Sequence, residues 1–563
     1  MPRKPLKAID LYAGVGGWSL GLKAAGIGVV GAYEIWPDAV ATYNANLSSR
    51  HSPIDLRTIS FRTLPKPVDL VVGSPPCTEF SFSNRGGNGD IAEGLKHVIK
   101  FLQIVEYLQP TYWILENVPR VARIIRESLE KPGSALFRFR HLAPTIQVLN
   151  FACFGLPQSR HRCLLGTFPF ALLHSYADIM KQRSLGDVIA ALRSHDRVTD
   201  PVWGGTISGK QLSEMEPESC LAEEQLRMNR EAKRFHPVYN DMCFPDDLEL
   251  PARTITATCT RVSRESIIIR DPETHSMRRL TVRERASLQG FPLTFQFFAK
   301  SHDAKIKMIG NAVPPLISFL AGMAVTNASI DDVSRALGAG ETVLHHLKSV
   351  PLPPLTPPAT IGKLLPAKRR FRAAIPGLRF KSGMRFELAN EFSRRGVRWR
   401  VRFYYGPSTD IRTTSLSARK LQTFLTASAM KPYRSRFRRE LLALHRELRT
   451  VDARHLQQVW AHRSVGTGPY EITDRLGAIS AVIGMHLHQA DTECIKRLVL
   501  KVLHITDPSP TLERKVARHA RCLVAGFVVG SVFNQALCAS FKKIVDTPGR
   551  ITKKGCSRSE RTR

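Results

Sequence analysis

Apolar runs that end abruptly in glycine or polar residues alternate with amphipathic stretches along the first 170 residues. The apolar runs predict buried strands, and the stretches between them, such as the one up to Ala25 and residues 93–108, predict helices. The predicted strands cover residues 6–12, 28–33, 68–72, 111–115, 146–153 and 163–168, with a further short strand ahead of Asp55. Regular alternation of this kind is typical of an α/β fold built on a parallel sheet.

The pattern changes at several later points, and these changes predict the domain boundaries. Glycine- and proline-broken polar sequence predicts an inserted region, a proline-rich stretch predicts a semi-rigid linker, and a basic terminus predicts a disordered tail. The predicted segments are a core at 1–169, an insertion at 170–252, a return to the core at 253–330, a linker at 331–370, a basic domain at 371–545 and a tail at 546–563. Within the basic domain the pattern predicts a hairpin at 384–405 and helices at 416–449 and 493–505.

The first predicted strand leads into a glycine-rich turn at residues 12–16, which is followed by a helix. Strand, glycine turn and helix form the first unit of a nucleotide-binding sheet, because glycines let a ligand approach the backbone. Glu34 ends the second strand about twenty residues later, where a carboxylate can accept ribose hydroxyls. Trp36 can stack on a purine, and Asp55 lies near the same sheet edge. The missing third glycine and the absence of G-K-[ST] favour a nucleoside without phosphates, such as S-adenosylmethionine, over a dinucleotide or ATP.

A cysteine and a glutamate each follow a predicted strand at this same edge of the sheet. Cys77 stands in the sequence GSPPC and Glu116 in ENVP, so prolines stop the chain near both residues. Taken alone, Cys77 is more simply explained as a small apolar residue at a strand end. Together with Glu116 it suits chemistry in which a thiol attacks a ring carbon while a carboxylic acid protonates a ring nitrogen.

Two arginines alternate on a predicted extended segment further along the chain. Arg160 and Arg162 then point the same way, which suits a phosphate or a carbonyl oxygen. Surface charge is the simpler explanation for either arginine alone.

Basic residues are concentrated in the last two-fifths of the chain. Residues 341–563 contain 42 Lys and Arg against 15 Asp and Glu, within a net charge of +34 for the whole chain. This excess predicts binding to a polyanion, most simply a nucleic acid. The ten cysteines include no C-x-x-C pair, so the sequence predicts reduced intracellular thiols and neither a disulfide framework nor a zinc site. The uncharged stretch 522–541 raises the question of a membrane span, but Asn534 and Gln535 favour a buried helix.

Six motifs follow one another in a fixed order between residues 6 and 325: DLYAGVGG, GSPPC, ENV, PQSRHR, RERASLQGFP and GNAVPP. This ordered set resembles the cytosine-5 methyltransferase family, whose members modify DNA with S-adenosylmethionine. The resemblance implies Cys77 as the nucleophile toward carbon 6 of cytosine and Glu116 as the acid at ring nitrogen 3. It implies Arg160 and Arg162 as contacts to substrate and phosphate. The positions matching cofactor contacts are Tyr12, Gly14, Gly16, Glu34, Ile35, Trp36, Asp55, Pro75, Asn311 and Val313.

Two positions depart from the family pattern. Thr78 stands where most members have glutamine, and Ile35 stands where some have an adenine-stacking tryptophan, with Trp36 one place later. Neither departure removes a catalytic group.

The resemblance also implies the fold, the substrate and the partners. The expected fold is an α/β, Rossmann-like S-adenosylmethionine-dependent methyltransferase sheet with a small target-recognition region at 170–252 and a basic, mostly helical C-terminal extension. The expected enzyme is a monomer without metal or membrane, located in the cytoplasm and associated with the nucleoid in a bacterium. It would modify a specific duplex DNA sequence, and a cognate restriction endonuclease would be its partner. The target cytosine must be flipped out of the duplex, and residues 83–90, with Asn84 and Arg85, are the predicted lid.

Two alternative functions remain open from the sequence. One is a tRNA cytosine-5 methyltransferase, because one branch of the family keeps the same motifs on RNA. The other is a non-catalytic DNA-binding regulator, against which the intact Cys77, Glu116 and Arg162 argue. For the basic residues 371–563 the hypothesis is a clamp that holds flanking DNA without reading its sequence.

Overall fold

The chain divides into two compact units, residues 1–234 with 242–360 and residues 235–241 with 361–563. The computed structural model describes residues 5–80, 89–193, 196–234, 242–338, 350–356, 367–380, 382–394, 396–406, 410–462 and 466–536.

The first unit alternates strands and helices from its beginning. Its strands are Lys7–Leu11 (β1), Gly28–Tyr33 (β2), Leu70–Gly73 (β3), Tyr112–Asn117 (β4), Thr145–Asn150 (β5), Gln158–Ser159 (β6), His161–Thr167 (β7), Arg197–Thr199 (β8), Thr206–Ser208 (β9), Ala252–Arg253 (β10), Ile268–Arg270 (β11) and Met277–Arg279 (β12). Its helices are Gly17–Ala24 (α1), Pro37–Leu47 (α2), Ile91–Leu108 (α3), Arg120–Glu130 (α4), Phe170–Ser175 (α5), Leu185–Ala191 (α6), Glu223–Arg234 (α7), Val282–Leu288 (α8), His302–Asn311 (α9), Pro315–Val325 (α10) and Ile330–Gly338 (α11).

Six of these strands form the central sheet, in the order β2-β1-β3-β4-β7-β5. Strands β2, β1, β3 and β4 are mutually parallel, whereas β7 runs antiparallel to both β4 and β5. The predicted α/β, Rossmann-like class is confirmed, but the sheet is mixed and not wholly parallel. The reason is local: residues 151–160, between β5 and β7, contain a 3-10 helix and β6 but no crossover α-helix, so the chain returns beside β5 in the opposite direction.

Side chains that alternate along the strands build two cores, one on each face of the sheet. On one face Ala8, Val72 and Ile114 pack with Trp18 of α1 and Phe319 of α10. On the other face Ile9, Val71 and Leu115 pack with Phe101 of α3 and Ile125 of α4. The strands are therefore buried on both faces, and this explains why their sequences are continuous apolar runs.

A third core joins the predicted insertion to the segment that follows it. Leu185, Val188 and Ile189 of α6 pack with Leu280 and Phe295. The polar interval 170–252 thus contains an apolar helix face as well as its glycine and proline turns.

The strand predicted ahead of Asp55 is wrong. Residues 48–60 form no strand, so β2 is the edge of the sheet. The amide of Ile54 donates to the carbonyl oxygen of Glu34, just after β2, at 2.7 Å. Pro53 has no amide hydrogen, which disfavours a continued ladder here.

The second unit combines an antiparallel sheet with helices. Its strands are Arg372–Arg379 (β13), Arg385–Ser393 (β14), Gly396–Tyr405 (β15) and Arg412–Ser415 (β16), paired in sequence order. Its helices are Ala418–Thr426 (α12), Arg434–Leu448 (α13), Ala453–His462 (α14), Pro469–His486 (α15), Thr492–Val502 (α16) and Pro510–Ala536 (α17). The predicted hairpin at 384–405 is confirmed as β14 and β15, whereas α14, α15 and the first half of α17 lie outside the helices that the pattern predicted.

The linker predicted at 331–370 begins too early. Residues 331–338 belong to α11, whose start is stabilised because the amide of Asp332 donates to the hydroxyl of Ser329 and a carboxyl oxygen of Asp332 accepts from the amide of Ser329. Residues 350–356 have no regular structure. Most of the remaining linker, at 339–349 and 357–366, and the predicted tail at 546–563 lie outside the described residues.

Two helical stretches in the described part of the chain, His302–Val325 and Pro510–Ala536, are long and apolar enough to cross a membrane. Their most apolar windows are 94% and 72% buried inside the protein. Such burial is what the core helices of a folded domain show, and the buried helix predicted over 522–541 corresponds to the second half of α17.

Candidate active site

A cavity of about 380 Å³ opens at the carboxyl ends of β1, β2, β3 and β4. In an open α/β sheet this edge is where ligands bind. The residues predicted as functional line it, apart from Gly16: Tyr12, Gly14, Glu34, Ile35, Trp36, Asp55, Pro75, Cys77, Glu116, Arg160, Arg162, Asn311 and Val313. The structure therefore brings together side chains from segments that are more than 200 residues apart in the sequence.

The turn between β1 and α1 forms one wall of this cavity. Gly14 has a φ of 56°, in the left-handed region, and a Cβ atom added there would meet nothing within 4 Å. Gly17 shows the opposite constraint, because a Cβ atom would come within 2.0 Å of the carbonyl oxygen of Val313. The turn thus leaves room for a ligand at Gly14 and holds the segment around Val313 against the start of α1.

Glu34 is fixed by backbone amides at the end of β2. Its Oε1 accepts from the amides of Ile35 and Trp36 at 2.9 and 2.8 Å, and its Oε2 accepts from the amide of Gly14 at 2.9 Å. Ile35 is 56% exposed beside it, and the ring of Trp36 has the ammonium of Lys307 at 5.0 Å. A carboxylate next to apolar side chains matches the two halves of a nucleoside, the ribose hydroxyls and the base.

The opposite rim of the cavity contains two polar residues that the sequence did not single out. Arg57 forms an ion pair with Asp55 at 2.7 Å, which holds the pKa of Asp55 below its usual value. The hydroxyl of Tyr12 lies 3.3 Å from both Nδ1 and the carbonyl oxygen of His97. Arg57 could have been found from its sequence, because it lies two residues from Asp55. The sequence around His97 contains no signal that marks this histidine as functional.

The turn that holds Cys77 is tethered on both sides. The indole of Trp18 donates to the hydroxyl of Ser74 at 3.0 Å, and the side-chain amide of Asn117 donates to the carbonyl oxygen of Pro75, also at 3.0 Å. After the turn, the amide of Phe80 donates to the carbonyl oxygen of Cys77. These contacts fix the turn relative to α1 and β4, and a nucleophile requires such fixed placement. Asn117 follows Glu116 directly in ENV, which is the signal that could have found it.

The charges around Cys77 act in opposite directions on its thiol. Burial raises the pKa of Cys77 above the usual value, Arg162 and Arg160 lower it, and Glu116 raises it. Because burial is the largest of these effects, the resting thiol is held in its protonated form at neutral pH.

Glu116 and Arg162 form an ion pair in the lining of the cavity. Nε of Arg162 lies 3.1 Å from Oε1 of Glu116, and the two side chains are only 13% and 8% exposed. Arg162 also donates from Nη1 to the carbonyl oxygen of His161 at 2.8 Å. The antiparallel pairing of β4 with β7 makes this contact, because Asn117 lies opposite Cys163.

The guanidinium of Arg160 is held by carbonyl oxygens from the later part of the chain. Its Nη1 donates to the carbonyl oxygen of Ile255 at 3.1 Å, and its Nη2 donates to those of Gly310 and Ala312 at 3.2 Å. The residue is 2% exposed, and burial lowers the pKa of its guanidinium to about 9. Arg160 borders the cavity, and these contacts hold the returning segments of the chain against the sheet, whereas its role as a substrate or phosphate contact stays a prediction.

Gln158 reinforces this junction from two residues away. Its Nε2 donates to the carbonyl oxygen of Leu288 and to Oε1 of Gln289, and its Oε1 accepts from the amide of Ile255. The carbonyl oxygen of Ala312 in turn accepts from Nε2 of Gln289. The sequence did not identify either glutamine, because the partners of Gln158 lie about 100 residues or more away.

The predicted lid at residues 83–90, including Asn84 and Arg85, lies largely outside the described residues. Asp90, at the end of the predicted lid, is described. Its carboxylate accepts from the amide of Glu93 at the start of α3, and its amide donates to the carboxylate of Glu79 at 2.7 Å. Across the part of the chain that the structure describes, no group of three or more His, Cys, Asp or Glu side chains could hold a metal ion.

Comparison with known proteins gives the same picture for the first unit. The family model "C-5 cytosine-specific DNA methylase" matches residues 6–323. The chain is 31% identical to "Type II methyltransferase M.AplI" of Arthrospira platensis, over 56% of this chain and 83% of that protein. It is 27% identical to "Type II methyltransferase M.HindV" of Haemophilus influenzae, over 59% of this chain and 100% of that protein. The solved structure of the S. pombe Dnmt2 methyltransferase is 18% identical and covers 57% of this chain and 99% of its own, with a TM-score of 0.41.

The family match covers more than half of the chain and includes every strand of the central sheet. It implies S-adenosylmethionine as the methyl donor and DNA as the substrate class. This chain belongs to the C-5 cytosine-specific DNA methyltransferase family.

Proposed function

We propose that this protein transfers a methyl group from S-adenosylmethionine to carbon 5 of a cytosine within a specific sequence of duplex DNA. The proposal rests on one observation: Cys77, Glu116 and Arg162 line the same cavity as the glycine turn and Glu34. A nucleophile, an acid and a nucleoside site within one cavity are what this transfer needs.

The residues present fit the cofactor. The open space at Gly14 admits a ligand to the backbone, the carboxylate of Glu34 is oriented by three amides, and Ile35 and Trp36 offer apolar surface for a base. In this proposal Glu34 binds the ribose hydroxyls, and Asn311 and Val313 border the same space. Bound S-adenosylmethionine would supply an electrophilic methyl group on a sulfonium sulfur.

Cys77 starts the reaction in this proposal. Its sulfur, once deprotonated, forms a bond to carbon 6 of cytosine, and the electron pair displaced from the ring double bond makes carbon 5 nucleophilic. Glu116 delivers a proton to ring nitrogen 3, so that negative charge does not build up on the ring. Arg162 binds Oε1 of Glu116, which leaves Oε2 for the ring nitrogen. After methyl transfer, a base removes the proton from carbon 5, the bond from sulfur to carbon 6 breaks to release the thiolate, and ring nitrogen 3 returns its proton to Glu116.

The target cytosine must leave the duplex in this mechanism, because the thiol has to reach the ring face. Flipping the base costs about a few kcal/mol, which contacts within the cavity have to offset. The cavity is partly enclosed by the Cys77 turn and by the ion pair of Glu116 with Arg162, a shape that suits one extruded base.

The names of the relatives, type II methyltransferases, support two further parts of the proposal. The DNA would be modified at a fixed sequence, and a cognate restriction endonuclease would recognise that same sequence. The protein would then act in the cytoplasm, where it meets the chromosomal DNA.

A covalent trap tests the proposal. Duplex DNA containing 5-fluorocytosine has no removable proton at carbon 5, so the adduct with Cys77 should accumulate and migrate as a protein–DNA complex in a denaturing gel. Cys77→Ala should form no adduct and transfer no methyl group, yet should still bind S-adenosylmethionine. Cys153→Ala, which removes an exposed cysteine outside the cavity, is the matched control and should behave as the wild type does. Methyl transfer by Cys77→Ala near the wild-type rate would overturn the mechanism, and methylation of tRNA but not of duplex DNA would overturn the substrate.

A further inference from the structure

The sheet formed by β13–β16 has two chemically different faces, because side chains alternate along each strand. One face is apolar and buried, with Phe386, Val401 and Phe403 at 0% exposure. Helix α17 packs against it so closely that a Cβ atom added at Gly526 would come within 2.5 Å of the Phe386 ring. The opposite face, here called the arginine face, consists of Arg372, Arg379, Arg385, Glu387, Glu391, Arg398, Arg400, Arg402 and Tyr404.

The two glutamates of the arginine face are already neutralised. Glu387 forms ion pairs with both Arg372 and Arg385, and Glu391 forms one with Arg402. The acidic side chains of this face therefore have guanidinium partners, and the remaining charge is positive.

Arg398 and Arg400 carry that surplus charge. Both are exposed on β15, and neither forms an ion pair with any residue that the structure describes. Together with Arg402 they occupy alternate positions on one extended strand, so neighbouring arginines are about 6.8 Å apart. A DNA strand presents a phosphate about every 3.4 Å of helix axis, so the spacing of this row corresponds to every second phosphate of one strand.

The one aromatic ring on the arginine face is not free for a nucleic-acid base. The guanidinium carbons of Arg372 and Arg385 each lie 4.8 Å from the ring centroid of Tyr404. Because cations occupy the space over the ring, stacking with a base is disfavoured, and phosphate groups are the ligands that the exposed arginines suit. The chemistry of this face thus favours the backbone of a duplex over unstacked single-stranded bases.

We propose that the arginine face binds the phosphate backbone of duplex DNA without reading its sequence. This inference rests on the proposed function, which supplies duplex DNA as the polyanion. Arg398 and Arg400 make the main contacts, and the pairs around Glu387 and Glu391 hold the neighbouring arginines in place.

The test compares two full-length double variants with the wild type. Arg398→Gln with Arg400→Gln removes the two unpaired charges of the arginine face. Arg514→Gln with Arg518→Gln removes two exposed charges from α17, on the helix layer of the same unit, and is the control with equal loss of charge. Binding is measured across a salt series to a duplex of A·T pairs only, which contains no cytosine to methylate.

Each lost phosphate contact should lower the slope of log K against log salt by about 0.9. The Arg398/Arg400 variant should therefore show a slope lower by about 1.8 and weaker binding at low salt, whereas the α17 variant should keep the wild-type slope. Thermal unfolding of both variants checks that the fold is retained.

Several outcomes would overturn the inference. They are an unchanged slope in the Arg398/Arg400 variant, an equal reduction in both variants, or a loss of affinity for RNA alone. Methyl transfer by the wild type to cytosine-containing duplex DNA, measured on the same preparation, separates the two proposals. If the wild type transfers methyl groups but the Arg398/Arg400 variant has the same salt slope as the wild type, only the proposed role of the arginine face is rejected. If the wild type transfers no methyl groups, the proposed function itself is rejected.

Discussion

Cys77 lies where burial and two arginines oppose each other, and this balance sets the fraction of reactive thiolate. Burial raises the pKa of Cys77, whereas Arg162 has the largest effect among the groups that lower it. A thiol with a raised pKa needs a higher pH to ionise. The thiolate fraction of the free protein should therefore still increase at pH values above the usual pKa of cysteine.

We predict that Arg162→Gln raises the pKa of Cys77 further, because it removes a positive charge and leaves Glu116 without its partner. The rate of iodoacetamide alkylation at Cys77, followed by mass spectrometry from pH 7 to pH 10, reports this shift. The pH profile of the variant should move to higher pH relative to the wild type. Arg183→Gln, which alters a half-buried arginine outside the cavity, should leave the profile in place. A profile that moves to lower pH would show that Arg162 does not stabilise the thiolate.

The second prediction concerns the carboxyl group. Glu116→Gln preserves the shape of the side chain but supplies no proton, so methyl transfer should slow by roughly 10²–10⁴. Single-turnover kinetics with saturating cofactor and DNA measures the chemical step, and binding of S-adenosylmethionine serves as the control. A rate equal to that of the wild type would reduce Glu116 to a structural partner of Arg162.

At this scale the sequence identified the groups that react but not all of the groups that hold them. Cys77 and Glu116 could be found because each follows an apolar run at a proline-marked turn. Arg160 looked equivalent to Arg162, since the two alternate on an extended segment. The structure separates them through partners at residues 255, 310 and 312, and no local pattern encodes contacts of that separation.

Among the elements, α15 offers two glycines with opposite packing. A Cβ atom at Gly477 would come within 2.8 Å of the carbonyl oxygen of Pro376 in β13, whereas one at Gly484 would meet nothing within 4 Å. Gly477 therefore marks the line along which α15 lies against the edge strand of its sheet.

We predict that Gly477→Ala destabilises the second unit and that Gly484→Ala stabilises it by about 0.5–1 kcal/mol. The first change forces α15 away from β13, and the second replaces glycine with the better helix former at an open position. Thermal or urea unfolding of the two variants gives the sign of each effect. The prediction fails if both substitutions change stability in the same direction.

The elements themselves were predictable where one periodicity dominates. Buried strands of the first unit are continuous apolar runs, and the hairpin of β14 and β15 alternates cleanly. The direction of β7 was not predictable from its composition, because parallel and antiparallel buried strands have the same apolar character. In α15 the buried side includes Thr473, Gly477 and Ser480, which weakens the helical pattern that a sequence can show.

For the whole molecule, the two units differ in what the family match explains. The family match ends at residue 323, and M.HindV is matched over its full length by 59% of this chain. The three cores of the first unit are also built from its own residues. The whole family match therefore lies within the first unit.

We predict that a chain ending at residue 360 still folds, transfers methyl groups and modifies the same sequence as the full-length protein. Its affinity for DNA at low salt should fall, because most of the positive charge is removed. Sequencing of methylated cytosines in DNA from expressing cells compares the two target sequences, and filter binding compares the affinities. A changed target sequence would move base recognition into the second unit.

The contact between α1 and α10 determines how long the apolar side of α1 stays uncovered while the chain is being synthesised. Helix α10 covers α1, and the hydroxyl of Ser318 donates to the carbonyl oxygen of Trp18, 300 residues earlier in the sequence. At a synthesis rate of about 5–20 residues per second, Trp18 waits on the order of 15–60 s on the ribosome before its partner is made. During that interval the apolar side of α1 is open to other chains, and slower translation lengthens the exposure. The first helix to be synthesised is thus among the last to be covered.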